Sequence, residues 1–197
     1  MKKNFFIIIF FIFVLPNQSA AYSSDPKQFI TEIVNEAKEI LVDTNSQEFK
    51  TEKLSEMALR VVDIEGIGNY TLGSYRKEFS DDQMKEYRVL FKKYFLKSFT
   101  SRLTDYSEPK IEVLSIEVLN PKYVMVRSLL LATDKKPEVK IDWRVYTKNP
   151  DKPLIRDLII EGLSLARVQK EEFASVIETN NGDVTKLFTT LKEFINK

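Results

Sequence analysis

The hydrophobic pattern changes its period near residue 110 and changes back near residue 163. Outside this central segment, apolar side chains recur every three or four positions, which predicts amphipathic helices. The predicted helices cover 27–43, 47–60, 64–78, 80–105, 163–179 and 183–195. Ser80 is a suitable N-cap for the longest of them, and Asp183 for the last.

The central segment alternates apolar and polar residues, or carries continuous β-branched and aromatic residues, which predicts strands. These strands cover 111–119, 123–132, 138–147 and 154–161. Short separators rich in Asn, Asp and Pro lie between them, so they form an antiparallel meander. The sequence therefore predicts one α+β domain with a four-stranded sheet. Several strands are apolar on both faces, which suits either a plain helix-covered sheet or a cavity between sheet and helices.

The helix that begins near Ser80 is unusually aromatic. Its wide apolar stripe consists of Met84, Tyr87, Phe91, Tyr94, Phe95 and Phe99. Three interpretations fit such a stripe: a face packed in the core, the wall of a lipid cavity, or a basic helix lying on a membrane. The last is the weakest, because acidic residues alternate with the lysines.

The first 21 residues have the layout of a secretory signal peptide. Two lysines precede an unbroken apolar run from Phe5 to Leu15, and small residues close the segment at Ser19 to Ala21. The run spans about 16 Å as a helix, against a bilayer core of roughly 30 Å, so a membrane anchor is disfavoured. We expect cleavage near Ala21 and an exported mature domain at 22–197.

Composition excludes several classes of function. The chain has 30 basic and 29 acidic residues, so no broad field favours nucleic acid. Histidine and cysteine are both absent. Their absence excludes a Ser-His-Asp triad, a cysteine nucleophile and His- or Cys-ligated metal.

Two aspartates in the predicted strands, Asp142 and Asp157, are candidates for charge pairs or for catalysis. Asp142 and Arg144 share a face of one strand and are expected to form a local charge pair, and Asp157 lies next to Arg156. The catalytic alternative makes either aspartate a general base in a cone-shaped pocket. Trp143, the only tryptophan, is either a core anchor or a cavity wall.

Four segments carry a family resemblance. They read EGIGNYTLGSYR at 65–76, IDWRVY at 141–146, IIEGLSL at 159–165 and EFASVI at 172–177. In this order and spacing, the chain resembles the MlaC family, the periplasmic lipid-binding components of the Mla transport system. The similarity runs over roughly residues 25–195.

The resemblance implies a nuclear-transport-factor-like fold, with helices packed over a curved antiparallel four-stranded sheet that encloses an apolar cavity. It implies a non-enzymatic, monomeric shuttle without a cofactor, whose cargo is a phospholipid or a hopanoid-like lipid. The implied partners are an inner-membrane ABC transporter complex of the Mla type and an outer-membrane lipoprotein–porin complex. The implied role is to maintain the lipid asymmetry of the outer membrane.

Twelve residues are the candidates for the pocket lining. They come from the aromatic helix, the helix before it and the sheet: Leu72, Tyr75, Tyr87, Phe91, Tyr94, Phe95, Phe99, Val124, Val126, Ile141, Trp143 and Val145. Two other functions compete with the lipid carrier. One is a small-molecule enzyme of isomerase or hydratase type, which uses Asp142 or Asp157 with a tyrosine. The other is an envelope adaptor with a filled core.

Overall fold

The computed structural model describes residues 21–104, 109–134 and 136–197. The predicted signal peptide lies outside the described residues, apart from Ala21. Six α-helices are present in the described part of the chain. They are α1 (Pro26–Val42), α2 (Gln47–Val61), α3 (Ile64–Thr71), α4 (Asp81–Leu103), α5 (Leu165–Glu178) and α6 (Thr185–Asn196).

Side-chain caps fix where several helices begin. At α4 the Ser80 hydroxyl accepts from the backbone N–H of Gln83 at 3.2 Å, and the Gln83 side chain accepts from the backbone N–H of Ser80 at 2.9 Å. This reciprocal capping box satisfies two backbone donors that the helix leaves free. Before α6, the Asp183 carboxylate accepts from the backbone N–H of Thr185 at 2.9 Å. The predicted cap at Ser80 is confirmed, whereas the prediction for Asp183 is wrong by one position: Val184 is the N-cap of α6, and Asp183 precedes it.

The predicted helix at 64–78 is two elements. α3 ends at Thr71, and a 3-10 helix follows at Gly73–Lys77. Gly73 has φ of +55°, a left-handed conformation that an α-helix cannot continue. The hydrophobic period runs through this break, so the period alone did not reveal it.

The strands form one antiparallel meander in the order β1-β2-β3-β4-β5. They are β1 (Ile111–Asn120), β2 (Tyr123–Leu130), β3 (Val139–Tyr146), β4 (Leu154–Ile160) and β5 (Leu163–Ser164). The α+β architecture is confirmed, but the predicted strand count is wrong by one. β5 has only two residues, and it turns back on β4 through Glu161 and Gly162, both at positive φ.

Bulges interrupt two strands. β1 has register shifts near Leu114 and Leu119, and β4 has one at Arg156. A bulge bends its strand and adds twist, so these positions curve the sheet. In β4 the extra residue also puts consecutive side chains, Arg156 and Asp157, on the same face of the sheet.

The two faces of the sheet differ in burial. The inner face carries Val124, Val126 and Val145, which are 8, 0 and 0% exposed. The outer face carries Tyr123, Arg144 and other polar side chains. α1 packs on β1 and β2, whereas α3 and α5 pack against β4. α4 packs against α2, α3 and α6, and one continuous hydrophobic core joins the helices to the inner face.

Within the described residues, none of the helices is both long enough and apolar enough to cross a bilayer.

Candidate functional site

Four aromatic rings spaced four residues apart run along α4. We call Tyr87, Phe91, Phe95 and Phe99 the aromatic ladder. Successive ring centroids are 5.6, 6.3 and 5.9 Å apart. The spacing follows from the helix, since residues four apart lie on one face. Burial falls along the ladder: Tyr87 and Phe91 are 0 and 2% exposed, whereas Phe95 and Phe99 are only partly buried.

The buried end of the ladder is fixed to α3. The Tyr87 hydroxyl lies 2.9 Å from the Thr71 hydroxyl and donates to the carbonyl of Gly68 at 3.1 Å. Burial raises the pKa of Tyr87 well above its usual value, so the phenol stays neutral. Gly68 lets the Phe91 ring pack directly on α3, because a Cβ at residue 68 would lie 2.8 Å from that ring. This end of the ladder is therefore rigid core.

Tyr94 lies on a different side of α4 from the ladder. Its ring packs on Phe173 of α5 and Phe194 of α6, with centroids at 5.9 and 4.8 Å. Its hydroxyl donates to the Gln169 side chain at 2.5 Å. Burial, and then the nearby charge of Glu172, raise the pKa of Tyr94. Tyr94 thus joins the C-terminal helices to α4.

The two predicted residues of the preceding segment also differ in position. Leu72 is 2% exposed and belongs to the core. Tyr75 lies in the 3-10 helix, partly buried, and its hydroxyl donates to Glu178 of α5 at 3.0 Å. Tyr75 therefore connects the 3-10 helix to α5.

On the sheet, Trp143 and Ile141 share the inner face with the three buried valines but are only partly buried. The Trp143 indole N–H donates to the Ser128 hydroxyl at 2.9 Å, and that hydroxyl donates to the carbonyl of Ile141 at 2.8 Å. Ser128 is 2% exposed, so the bond satisfies a buried polar group and fixes the ring. Trp143 is both anchored and accessible.

The structure thus divides the twelve candidate residues into two sets. The fully buried ones are Leu72, Tyr87, Phe91, Val124, Val126 and Val145. The partly buried ones are Tyr75, Tyr94, Phe95, Phe99, Ile141 and Trp143. In the second set, Phe95, Phe99 and Trp143 pack against the core and keep exposed surface. Unlike Tyr75 and Tyr94, they make no hydrogen bond to α5 in the described part of the chain.

The twelve candidates leave out several partly buried residues that pack against the same core, among them Leu103, Ile111 and Val113. Signals for them were present. Leu103 continues the spacing of the ladder four residues after Phe99, and Ile111 and Val113 alternate at the start of β1. We call Phe95, Phe99, Leu103, Ile111, Val113 and Trp143 the apolar rim.

Two clefts open beside this core. The first has a volume of about 340 Å³ and lies between the α2–α3 junction, α4 and the turn before β4. The second, of about 470 Å³, lies between α3 and the outer face of the sheet. Tyr87 and Phe91 line the first cleft, and none of the other ten candidates lines either one. A single cavity lined by all twelve residues stays a prediction.

The predicted charge pair within β3 is wrong, because both partners bind across strands. Asp142 contacts Arg127 of β2 at 3.3 Å, and Arg144 contacts Asp157 of β4 at 3.2 Å. Facing positions on neighbouring antiparallel strands are closer than positions two apart in one strand. Arg127 also binds Glu117 of β1 at 2.5 Å, so Asp142 and Glu117 share this guanidinium on the outer face.

Asp157 is 3% exposed, and both of its carboxylate oxygens are engaged. One accepts from the Ser164 hydroxyl at 2.6 Å as well as from Arg144, and the other accepts from the backbone N–H of Ala166 at 3.0 Å. These bonds connect β4 to β5 and to the first turn of α5. They give the carboxylate a structural role and leave neither oxygen free to act as a general base.

Arg156 does not pair with its neighbour Asp157 either. Its guanidinium donates to Asp63, the N-cap of α3, at 2.6 Å and to the Tyr123 hydroxyl at 2.8 Å, and it stacks 3.6 Å from the centre of the Tyr146 ring. The bulge in β4 turns the side chain towards these partners. The salt bridge between Arg156 and Asp63 connects the outer face of the sheet to the start of α3.

In the part of the chain that the structure describes, no group of three or more acidic side chains could hold a metal ion. The site is therefore characterised by apolar surface and by the charged margins of two clefts.

Known proteins share both the sequence pattern and the fold of this chain. The family model described as MlaC protein matches residues 27–193. Among solved structures, the phospholipid-binding protein from Ralstonia solanacearum, in complex with a phospholipid, superposes with a TM-score of 0.72 at 19% sequence identity. The match covers 88% of this chain and 97% of that one. No curated protein matches the sequence.

Proposed function

Because this chain belongs to the MlaC family, we propose that it is a periplasmic phospholipid carrier. It takes a lipid from one membrane system and delivers it to the other, between an outer-membrane lipoprotein–porin complex and an inner-membrane ABC transporter complex of the Mla type. This exchange maintains the lipid asymmetry of the outer membrane. The carrier works without catalysis and without a resident cofactor, and the lipid is its cargo.

The observation that carries the proposal is the loss of burial along the aromatic ladder. A helix that served only as core would bury all four rings, yet Phe95 and Phe99 keep free surface, as do Trp143 and the other residues of the apolar rim that pack against the same core. We infer that these partly exposed apolar groups form one binding surface. Acyl chains that lie against the rim complete the burial of these side chains.

The energetics suit a carrier. Each methylene removed from water contributes about 0.8 kcal/mol, and a bilayer offers the lipid the same gain. Transfer between membrane and carrier is then nearly isoenergetic, so lipid moves in whichever direction the partner complexes impose. The similar fold of the Ralstonia protein, which binds a phospholipid, supports the same use of this architecture.

The enzyme alternative finds less support. Asp157 has both oxygens occupied, and Asp142 pairs with Arg127 on the outer face. Neither aspartate lines the two clefts. The sequence contains no histidine or cysteine to take their place.

Native mass spectrometry of the mature protein, purified from the periplasm, tests lipid binding. We expect an added mass that solvent extraction identifies as a phospholipid. Phe95→Asp, in the apolar rim, should lose the lipid while the chain stays folded. The matched control is Phe49→Asp, because Phe49 is 36% exposed on α2 and lies outside the rim. A lipid-free wild type that stays free after incubation with liposomes would refute the proposal.

The shuttle role needs a second measurement. Lipid-loaded protein mixed with the purified inner-membrane complex in liposomes should lose its labelled lipid to the bilayer, and protein-free liposomes should receive much less. Equal transfer to both kinds of liposome would count against the shuttle while leaving lipid binding intact. Cell fractionation with sequencing of the mature N-terminus tests the periplasmic location and the cleavage near Ala21.

A further inference from the structure

The first cleft combines an apolar floor with a cationic margin. Tyr87, Phe91 and Leu154 contribute ring and aliphatic surface to its lining. Lys92 of α4 and Lys152 of the turn before β4 stand on the margin, and both are exposed. Such an arrangement suits a small anionic group attached to an apolar body.

The acidic side chains of this lining are already neutralised. Asp63 binds Arg156 at 2.6 Å, and Glu65 binds Arg88 at 3.2 Å. Neither carboxylate is left to compensate a lysine at the cleft. An acidic lining would have repelled an anion, and these two pairs remove that repulsion.

The cations divide into engaged and free ones. Arg60 is held by Glu36 at the far side of the α2 terminus. Within residues 21–104, 109–134 and 136–197, no ion pair engages Lys92 or Lys152. The half-buried Asn69 side chain, which also lines the cleft, makes no hydrogen bond in the described part of the chain. The cleft therefore carries two uncompensated positive charges and an available amide donor.

We propose that the first cleft binds the phosphate group of an anionic glycerolipid, held by Lys92, Lys152 and Asn69. This assignment rests on the proposed function and adds the headgroup site to it. Phe91 connects the two parts, because it lines the cleft and also belongs to the aromatic ladder. From Phe91 to Phe99 the helix advances about 12 Å. Because Phe91 is 2% exposed, acyl chains that extend from the cleft to the apolar rim have to displace the packing around this ring.

Matched charge reversals test the assignment. The cleft variant is Lys92→Glu with Lys152→Glu. The control variant is Lys93→Glu with Lys148→Glu, which makes the same change of charge on the same helix and the same turn, at exposed positions that do not line the cleft. Titration calorimetry measures the binding of dihexanoyl phosphatidylglycerol and of dihexanoylglycerol, which lacks the phosphate. Circular dichroism checks that each variant folds, and Lys92→Gln with Lys152→Gln replaces a cleft variant that does not.

The cleft variant should bind dihexanoyl phosphatidylglycerol about tenfold more weakly, since two partly exposed ion pairs are lost. Its affinity for dihexanoylglycerol should not change, and the control variant should match the wild type with both compounds. An equal loss with both compounds, or an equal loss in the two variants, would overturn the assignment. Tight binding of inorganic phosphate alone would overturn it too, because the cleft would then be a free-phosphate site. A wild type that binds neither glycerol compound fails the proposed function itself.

Discussion

Alanine replacement along the aromatic ladder separates core from lipid-contacting surface. Phe91 is 2% exposed and contacts Tyr87, Phe95 and Phe173. Truncating a fully buried phenylalanine costs about 3–5 kcal/mol of unfolding free energy, from lost transfer energy and from the cavity left behind. Phe99 stacks on one ring and is partly exposed, so its truncation should cost the lipid-free protein only about 1–2 kcal/mol.

Lipid should bring the costs of the two truncations close together. A ligand that binds only the folded state raises the free energy of unfolding by RT ln(1 + [L]/Kd), which is about 2.7 kcal/mol at a hundred times Kd. The Phe99→Ala protein should lose most of this increment, whereas Phe49→Ala on α2 should keep it. The assay is urea unfolding of delipidated and reloaded protein, followed by circular dichroism. If Phe99→Ala cost as much as Phe91→Ala without lipid and kept the full increment with it, Phe99 would be ordinary core and the reasoning would fail.

Three further perturbations address the scaffold. Asp63→Ala removes the N-cap of α3 and a partner of Arg156. Urea unfolding should therefore show that the free energy of unfolding falls by about 2 kcal/mol. A change below about 0.5 kcal/mol would contradict the structural role of the Asp63–Arg156 pair. Ser128→Ala removes the acceptor of the Trp143 indole, so we expect a loss of about 1 kcal/mol and a shifted tryptophan emission; an unchanged spectrum would argue against that bond. Burial and then Glu36 raise the pKa of Tyr22 from 10.0 to about 12, so its contribution to stability is complete below pH 10 and is lost as the pH rises towards 12. Urea unfolding across this window should therefore show a steeper fall for the wild type than for Tyr22→Phe, and identical slopes would refute the shift.

The elements could be predicted because their signals are local. Hydrophobic period, capping residues and turn residues each act within a few positions, and they placed all six helices and the four long strands. The break at Gly73 escaped because the period continues across it, so only the backbone angle reveals the change. β5 escaped because two residues are too few to show a period.

The polar contacts were less predictable, because they depend on strand register. Arg144 meets Asp157 and not Asp142, since β3 and β4 are aligned by a bulge that no local pattern marks. The sequence predicted that aromatic and aliphatic side chains form the site, but it did not predict which of them stay partly exposed. One helical period produces both Phe91 and Phe99, and only the packing of α2, α3 and α6 around α4 decides which ring is covered.

The order of the strands has a consequence for how the chain acquires its fold. Every long pairing in the sheet joins neighbours in sequence, so the meander closes through short loops and can form quickly. α1 is different, because it docks on β1 and β2, and Lys27 reaches the carbonyl of Leu114 across 87 positions. A chain that emerges from its N-terminus therefore presents the apolar faces of four helices before their sheet exists. Aggregation is therefore most favoured in the interval before the first hairpin forms, because transiently exposed apolar surface promotes association between chains.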